Sequence, residues 1–164
     1  MGIRIEPMTL SDLAEVLADH DEFWGGRDTR FLHQQVFVQE FGDTCLSARA
    51  AGDRIAGYLL GFTTRRRVGY IHAVAVRDEA RGTGCGQALY WAFAAAATAQ
   101  GAERLKAITT VTNARSIGFH RRLGFDVRQA DNYAGPGAPR MVMTCPLPLS
   151  RRPVNAPDID TAAS

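Results

Sequence analysis

The apolar positions of the chain change their period from segment to segment, and each period predicts an element. Alternating or β-branched apolar residues predict strands over residues 3–5, 44–50, 54–63, 68–76, 105–111, 126–128 and 140–147. Apolar residues at helical spacing predict helices after an N-cap at Ser11 and over residues 29–41, 87–100 and 113–123. Residues 23–26 between the first two helices are expected to form a loop.

This order of elements predicts an α+β fold with a mixed, mostly antiparallel sheet of about seven strands and helices on both faces. The inward helical positions are expected to be Leu13, Val16 and Leu17, then Leu32, Val36 and Phe37, then Leu89, Ala92, Phe93 and Ala96. Residues 1–148 fit one domain, whereas residues 149–164 are poor in large apolar side chains and are expected to be a disordered tail.

Composition narrows the class of protein. In 164 residues, the hydrophobic fraction is 46% and the net charge is +2, so a nucleic-acid partner is not indicated. The first residues contain no apolar h-region, so no signal peptide is expected, and no segment is long and apolar enough for a membrane span. Three cysteines without metal-type spacing favour free thiols in a reducing cytoplasm and no metal site. A homodimer is compatible with these features but is not indicated by any of them.

A glycine-rich segment follows the strand at residues 68–76. Glycines at 82, 84 and 86 precede a helix-forming segment, an arrangement that favours anion binding by backbone N–H groups and the helix dipole. The spacing G-x-G-x-G differs from a dinucleotide fingerprint, and no lysine follows as a P-loop requires. A loop without a ligand, and a domain that binds ATP or NAD, are the alternatives that this segment leaves open.

Two motifs carry a resemblance to a known family. Arg81-x-x-Gly84-x-Gly86 resembles the pyrophosphate loop of the GNAT superfamily of N-acetyltransferases. The segment from Asn113 to Phe125 resembles the second signature of that family, N-x-x-[AS]-x-x-[FL]-[YH]-x-x-x-G-F. The resemblance covers about residues 45–128 and has the motifs in the family's order.

The resemblance implies acetyl-CoA as the co-substrate and a sheet that splays between its fourth and fifth strands, where pantetheine pairs with the free strand edge. It implies cofactor contacts from the strand and the loop, namely Val74, Ala75, Val76, Arg81, Gly82, Thr83, Gly84, Cys85, Gly86 and Gln87. Asn113 and Ser116 on the second motif are expected to add to them. Each of these residues also has an ordinary structural interpretation, Asn113 as a helix N-cap in particular.

His120 and His72 are the candidate catalytic residues. Asn113, Ser116 and His120 are spaced to lie along one helix face, and His120 stands where many GNAT members carry the tyrosine that protonates the leaving thiolate. Strand alternation predicts that His72 lies on the same face as Val74 and Val76, where it could take the amine's proton. A histidine buried for structural reasons is the alternative for His72.

The acceptor site is expected near Asp21, Glu22 and Trp24, since carboxylates beside an aromatic ring suit a cationic amine. Tyr133, in a glycine- and proline-rich loop, is a further candidate lip of this site. A solvated acidic loop with its aromatic residues in the core is the alternative.

Together these features predict an acetyl-CoA-dependent N-acetyltransferase. The expected reaction is direct attack by a primary amine within a ternary complex, and the preferred acceptor is a small molecule. A ping-pong nucleophile is not indicated, because no histidine is placed to activate Cys85. Transfer to a peptide or protein amine, and an acetyl-CoA sensor without turnover, are the alternatives.

Overall fold

A computed structural model describes residues 2–149 of the chain. Of the predicted disordered tail, all but Leu149 lies outside the described residues. The seven strands are β1 (Arg4–Pro7), β2 (Leu46–Arg49), β3 (Ile55–Thr63), β4 (Val68–Val76), β5 (Arg104–Thr109), β6 (Asp126–Ala130) and β7 (Arg140–Pro146). The helices are α1 (Leu10–Ala18), α2 (His20–Trp24), α3 (Gln35–Glu40), α4 (Cys85–Ala99) and α5 (Ala114–Arg122).

One sheet in the order β1-β2-β3-β4-β5-β7-β6 organises the fold. Its neighbouring strands are antiparallel except for β4 and β5, which run parallel. One core cluster holds Leu89 and Phe93 of α4, whereas a second holds Val16 of α1 and Phe23 of α2. The predicted α+β class, the strand number and the helices on both faces are therefore confirmed.

Four local predictions on the N-terminal side are wrong. Helix α1 is capped by Thr9, not Ser11, because the Thr9 hydroxyl accepts from the Asp12 N–H and the Asp12 carboxylate accepts from the Thr9 N–H. The expected loop at residues 23–26 begins within α2.

The expected helix over residues 29–41 is broken into a 3-10 turn (Arg30–Leu32) and the short helix α3. Gln34 between them is extended. Val36, expected to point inward, is 43% exposed.

A β-bulge lies in the middle of β4. Leu60 of β3 pairs with Ala73 and Gly61 pairs with Ile71, so His72 has no partner across the ladder. Ile71 and Val74 both pack into the α4 cluster, whereas His72 stacks on Phe37 of α3. The extra residue shifts the alternation by one, and His72 faces away from Val74 and Val76. The prediction that the three share a face is wrong.

Candidate active site

The parallel strands β4 and β5 separate along their length. Their ladder pairs Val68–Ile71 with Arg104–Ala107 and ends there. β4 continues to Val76 and β5 to Thr109 without pairing to each other, which leaves the facing backbone edges at residues 72–76 open. The expected splay between the fourth and fifth strands is confirmed, and Val74, Ala75 and Val76 lie along its open edge. An open strand edge can accept an extended ligand through main-chain hydrogen bonds.

The glycine-rich loop lies at the end of this open edge, between β4 and α4. After a 3-10 turn at Asp78–Ala80, Gly82 and Gly84 take φ values of 77° and 91° in the left-handed region. The Thr83 hydroxyl donates to the Ala80 carbonyl over 2.7 Å, so this side chain holds the loop itself together. Only glycine takes these φ values without strain.

Helix α4 begins without a side-chain cap. Its N-cap is Gly84, whereas α1 and α5 are capped by Thr9 and Asn113. The first N–H groups of α4, on Cys85, Gly86 and Gln87, therefore have no side-chain acceptor in the described residues. A free helix N-terminus beside an open loop is suited to hold a phosphate group.

Gly86 and Cys85 of the glycine-rich motif also contribute to the packing of the protein. A Cβ at Gly86 would stand 3.3 Å from the Phe119 ring, so this glycine allows α4 to approach α5 closely. The Cys85 side chain is buried and burial raises the pKa of its thiol to about 11. That thiol is protonated at neutral pH, which agrees with the expectation that Cys85 is no nucleophile.

The three polar residues of α5 do lie together, as their spacing predicts. The side-chain oxygen Oδ1 of Asn113 accepts from the Ser116 N–H over 3.2 Å, and the side-chain Nδ2 of Asn113 donates to the Thr109 hydroxyl. Asn113 also lines the cleft described below, so it can cap α5 and face a ligand at once. The Ser116 hydroxyl lies 3.3 Å from Nδ1 of His120.

The His120 ring is buried in the core and does not face the open space between β4 and β5. Its ring is 2% exposed; Nδ1 lies 2.7 Å from the Ser116 carbonyl oxygen and Nε2 2.7 Å from the Tyr90 hydroxyl. The carbonyl requires a proton on Nδ1, so Nε2 accepts from Tyr90. Burial lowers the pKa of His120 and keeps the ring neutral. The acid role stays a prediction, and these contacts give it no support.

His72 is half-buried, and only one of its two ring nitrogens has a hydrogen-bond partner among residues 2–149. Its Nε2 lies 3.1 Å from the Leu32 carbonyl oxygen and its ring stacks on Phe37 with centroids 4.2 Å apart. That carbonyl requires Nε2 to carry the proton, which leaves the Nδ1 lone pair free to accept one. Burial lowers the pKa of His72, so the base form dominates at neutral pH.

The carboxylates expected to hold a cationic acceptor are engaged elsewhere. Glu22 pairs with Arg54 over 2.6 Å and with the buried Arg77. Asp21 is exposed and lies 3.4 Å from His20. Asp21 and Glu22 therefore do not form a free anionic pocket, because Arg54 and Arg77 neutralise the carboxylate of Glu22.

The two aromatic candidates, Trp24 and Tyr133, have different surroundings. Trp24 donates its indole N–H to the Tyr58 hydroxyl over 2.7 Å and lines the cleft at the glycine-rich loop. Tyr133, 40% exposed, lies over Lys106 of β5 with the ammonium 4.9 Å from its ring centroid.

A cleft of about 430 Å³ opens where these parts meet. It is lined by Trp24, Gly25, Arg27, Asp78, Arg81, Asn113 and Arg115. Arg27 and Arg115 were not singled out from the sequence. The position of Arg115 could have indicated a role in binding, because a cation in the first turn of a helix is opposed by the helix dipole. For Arg27, nothing in the sequence besides its charge indicated a place in the cleft.

Within residues 2–149, no group of three or more His, Cys, Asp or Glu side chains could hold a metal ion. No helix among the same residues has the length and apolarity that a bilayer span requires.

Comparison with known proteins agrees with this geometry. The acetyltransferase (GNAT) family matches residues 12–125. An L-methionine sulfoximine/L-methionine sulfone acetyltransferase of Pseudomonas paraeruginosa is 48% identical over 141 residues, covering 77% of this chain and 82% of that protein.

Two solved structures share the fold. The chain superimposes on Ard1 from Thermoplasma volcanium with a TM-score of 0.70 at 20% identity, over 89% of this chain and 98% of that one. For the ribosomal-protein-S18-alanine N-acetyltransferase of Escherichia coli the TM-score is 0.68 at 18% identity, over 93% and 97%.

The chain belongs to the GNAT family, since the family match spans more than half of its length. It is an acetyltransferase of the class that moves an acetyl group from acetyl-CoA to an amine.

Proposed function

We propose that the chain acetylates the α-amino group of small polar amino acids of the methionine sulfone and sulfoximine kind, with acetyl-CoA bound in the gap between β4 and β5. The observation that carries the acceptor is the 48% identity to an acetyltransferase named for these two compounds. The placement of the donor rests on the open edge of β4 beside the glycine-rich loop.

The donor has two kinds of partner in this arrangement. Residues 72–76 offer unpaired backbone groups to the pantetheine arm, and an N–H of this edge can stabilise the negative charge that develops on the thioester carbonyl oxygen. Gly82, Gly84 and the first turn of α4 offer N–H groups to the diphosphate. Arg81 adds a positive charge at the same loop.

The amine must lose a proton before it attacks. With a pKa of about 10 for an ordinary amine, roughly one molecule in a thousand is neutral at pH 7. His72 is the residue we propose as base, directly or through water, because Nδ1 is unprotonated and its pKa is lowered. The neutral amine then attacks the thioester carbon, and the nitrogen, now positively charged, loses a second proton. The C–S bond breaks, and the departing thiolate takes up one proton through solvent, so that an amide and free CoA thiol are the products.

Release of free thiol from acetyl-CoA tests the proposal. We expect release with L-methionine sulfone and L-methionine sulfoximine and little with spermidine or a short peptide. The Gly84→Asp variant places a carboxylate at the phosphate site and should abolish release. Gly101→Asp is its matched control, because Gly101 has φ of 84° and open space around it at the opposite end of α4.

Each alternative gives a different outcome. Release with spermidine or the peptide, but not with the amino acids, would contradict the acceptor and leave the donor site intact. Binding of acetyl-CoA without thiol release from any acceptor would favour the sensor over the enzyme.

A further inference from the structure

Three arginines converge on the cleft at the glycine-rich loop. Arg27 comes from the segment after α2, Arg81 from the loop and Arg115 from the first turn of α5. The single acidic residue of the lining is Asp78, and it pairs with Arg81. The lining therefore carries three positive charges against one negative charge.

Arg27 and Arg115 are not compensated within the protein. Among residues 2–149 neither forms an ion pair with a carboxylate. Burial lowers the pKa of Arg81, and the positive charges of Arg115 and Arg27 add to this shift, which agrees with the place of all three arginines in one cleft lining. Repulsion of this kind is relieved when an anion binds among the charges.

Arg27 and Arg115 stand in different surroundings: contacts with Trp24 position Arg27, and Arg115 occupies an unfavourable place for a cation. Gly25 ends α2 in the left-handed conformation and the chain turns back, so that the Arg27 guanidinium lies 5.3 Å from the Trp24 ring centroid. Nε of Arg27 donates to the Trp24 carbonyl over 3.2 Å, which leaves its terminal N–H groups free. Arg115 sits in the first turn of α5, where the helix dipole disfavours a cation.

We infer that Arg27 and Arg115 bind the 3′-phosphate of coenzyme A. This rests on the proposed placement of the donor. The diphosphate is served by Gly82, Gly84 and the α4 N-terminus, while the two remaining arginines approach the same cleft from two other elements. A phosphate monoester carries about 1.5 to 2 negative charges at neutral pH and three acceptor oxygens, which matches two guanidinium groups.

Isothermal titration with CoA and with 3′-dephospho-CoA tests the assignment without any acceptor. We expect wild type to bind CoA roughly 10- to 100-fold more tightly than dephospho-CoA, the ratio given by hydrogen bonds to a charged group. Arg27→Gln and Arg115→Gln should each reduce this ratio, and the double variant should bring it to within about threefold. Affinity for dephospho-CoA should stay unchanged in all of them.

Arg66→Gln is the matched control, because Arg66 is an exposed arginine outside the cleft, in the turn between β3 and β4. It should keep the wild-type ratio. Melting temperatures of all variants exclude misfolding as the cause of any change.

Three results would overturn the assignment. Equal affinity of wild type for the two ligands would mean that the 3′-phosphate is not recognised. Equal loss for both ligands in the variants would place the arginines on the diphosphate. Unchanged CoA affinity with a raised KM for the amino acid would place them on the acceptor's carboxylate. Failure of wild type to bind either ligand would instead reject the proposed function, and this inference with it.

Discussion

His72 and His120 show how the surroundings of a side chain decide what it can do. Both are neutral because burial lowers their pKa. Both nitrogens of His120 are used, by Ser116 and Tyr90, so its ring has a structural role in the α4–α5 contact. Nε2 of His72 donates to the Leu32 carbonyl oxygen, whereas Nδ1 is the nitrogen that could take up a proton.

Replacing His72 by alanine and by glutamine separates catalysis from positioning. Glutamine can still donate to the Leu32 carbonyl but cannot take a proton, so both variants should lose about 10²- to 10⁴-fold in kcat/KM. The wild-type rate should rise with pH on an acidic limb whose midpoint lies below the ordinary value of 6.5, and both variants should lack that limb. Recovery of the rate by glutamine alone would show that His72 only positions the Leu32 segment.

At the scale of elements, the packing of α4 on β3 determines the position of the glycine-rich loop that precedes α4. Gly61 of β3 lies directly under Phe93 of α4, and a Cβ there would come within 2.5 Å of the ring. Phe93 is fully buried and cannot swing into solvent. The start of α4, with its uncapped N–H groups, is held beside the open edge of β4 by this packing.

Gly61→Ala should therefore destabilise the protein by about 1 to 3 kcal/mol, the usual cost of an overpacked core. Urea unfolding measures the loss as a lower midpoint with an unchanged slope. Gly42→Ala is the matched control, since Gly42 has no heavy atom within 4 Å of the added Cβ and no positive φ. If the Gly61→Ala variant were as stable as the control, β3 and α4 would be able to move apart enough to accommodate the added methyl group, and the packing argument would be wrong.

At the scale of the whole molecule, three histidines are kept neutral by the fold. Burial is the largest cause of the lowered pKa at His33, His72 and His120. The unfolded chain takes up these protons near pH 6.5 and the folded chain does so only at lower pH. Stability is therefore complete above about pH 6.5 and decreases below it. Asp12 also has a lowered pKa, but its contribution is lost only below about pH 4.

The free energy of unfolding should thus fall between pH 7 and pH 5, each histidine adding up to about 1.4 kcal/mol per pH unit. Urea titrations at pH 5, 6 and 7 measure this slope. The His120→Phe variant should show a shallower slope, because one of the three groups is gone. A slope that is flat, or that has the opposite sign, would contradict the assignment of neutral buried rings.

The sequence by itself determined most of the order of elements and the backbone conformation of the glycine-rich loop. Strand period, helical spacing and the glycines at 82 and 84 are set by backbone preferences that act over a few residues. β4 has the bounds that its apolar run predicts, and α4 begins and ends within two residues of its expected limits.

Only the tertiary structure decided the positions of the functional side chains. The bulge at His72 arises from pairing with β3, Tyr90 meets His120 across 30 positions, and Arg77 neutralises Glu22 across 55. Arg27, which follows α2, and Arg115, in the first turn of α5, border the same cleft although they are far apart in the sequence. Such contacts depend on how elements pack, and local patterns along the chain do not encode which distant side chains will share a site.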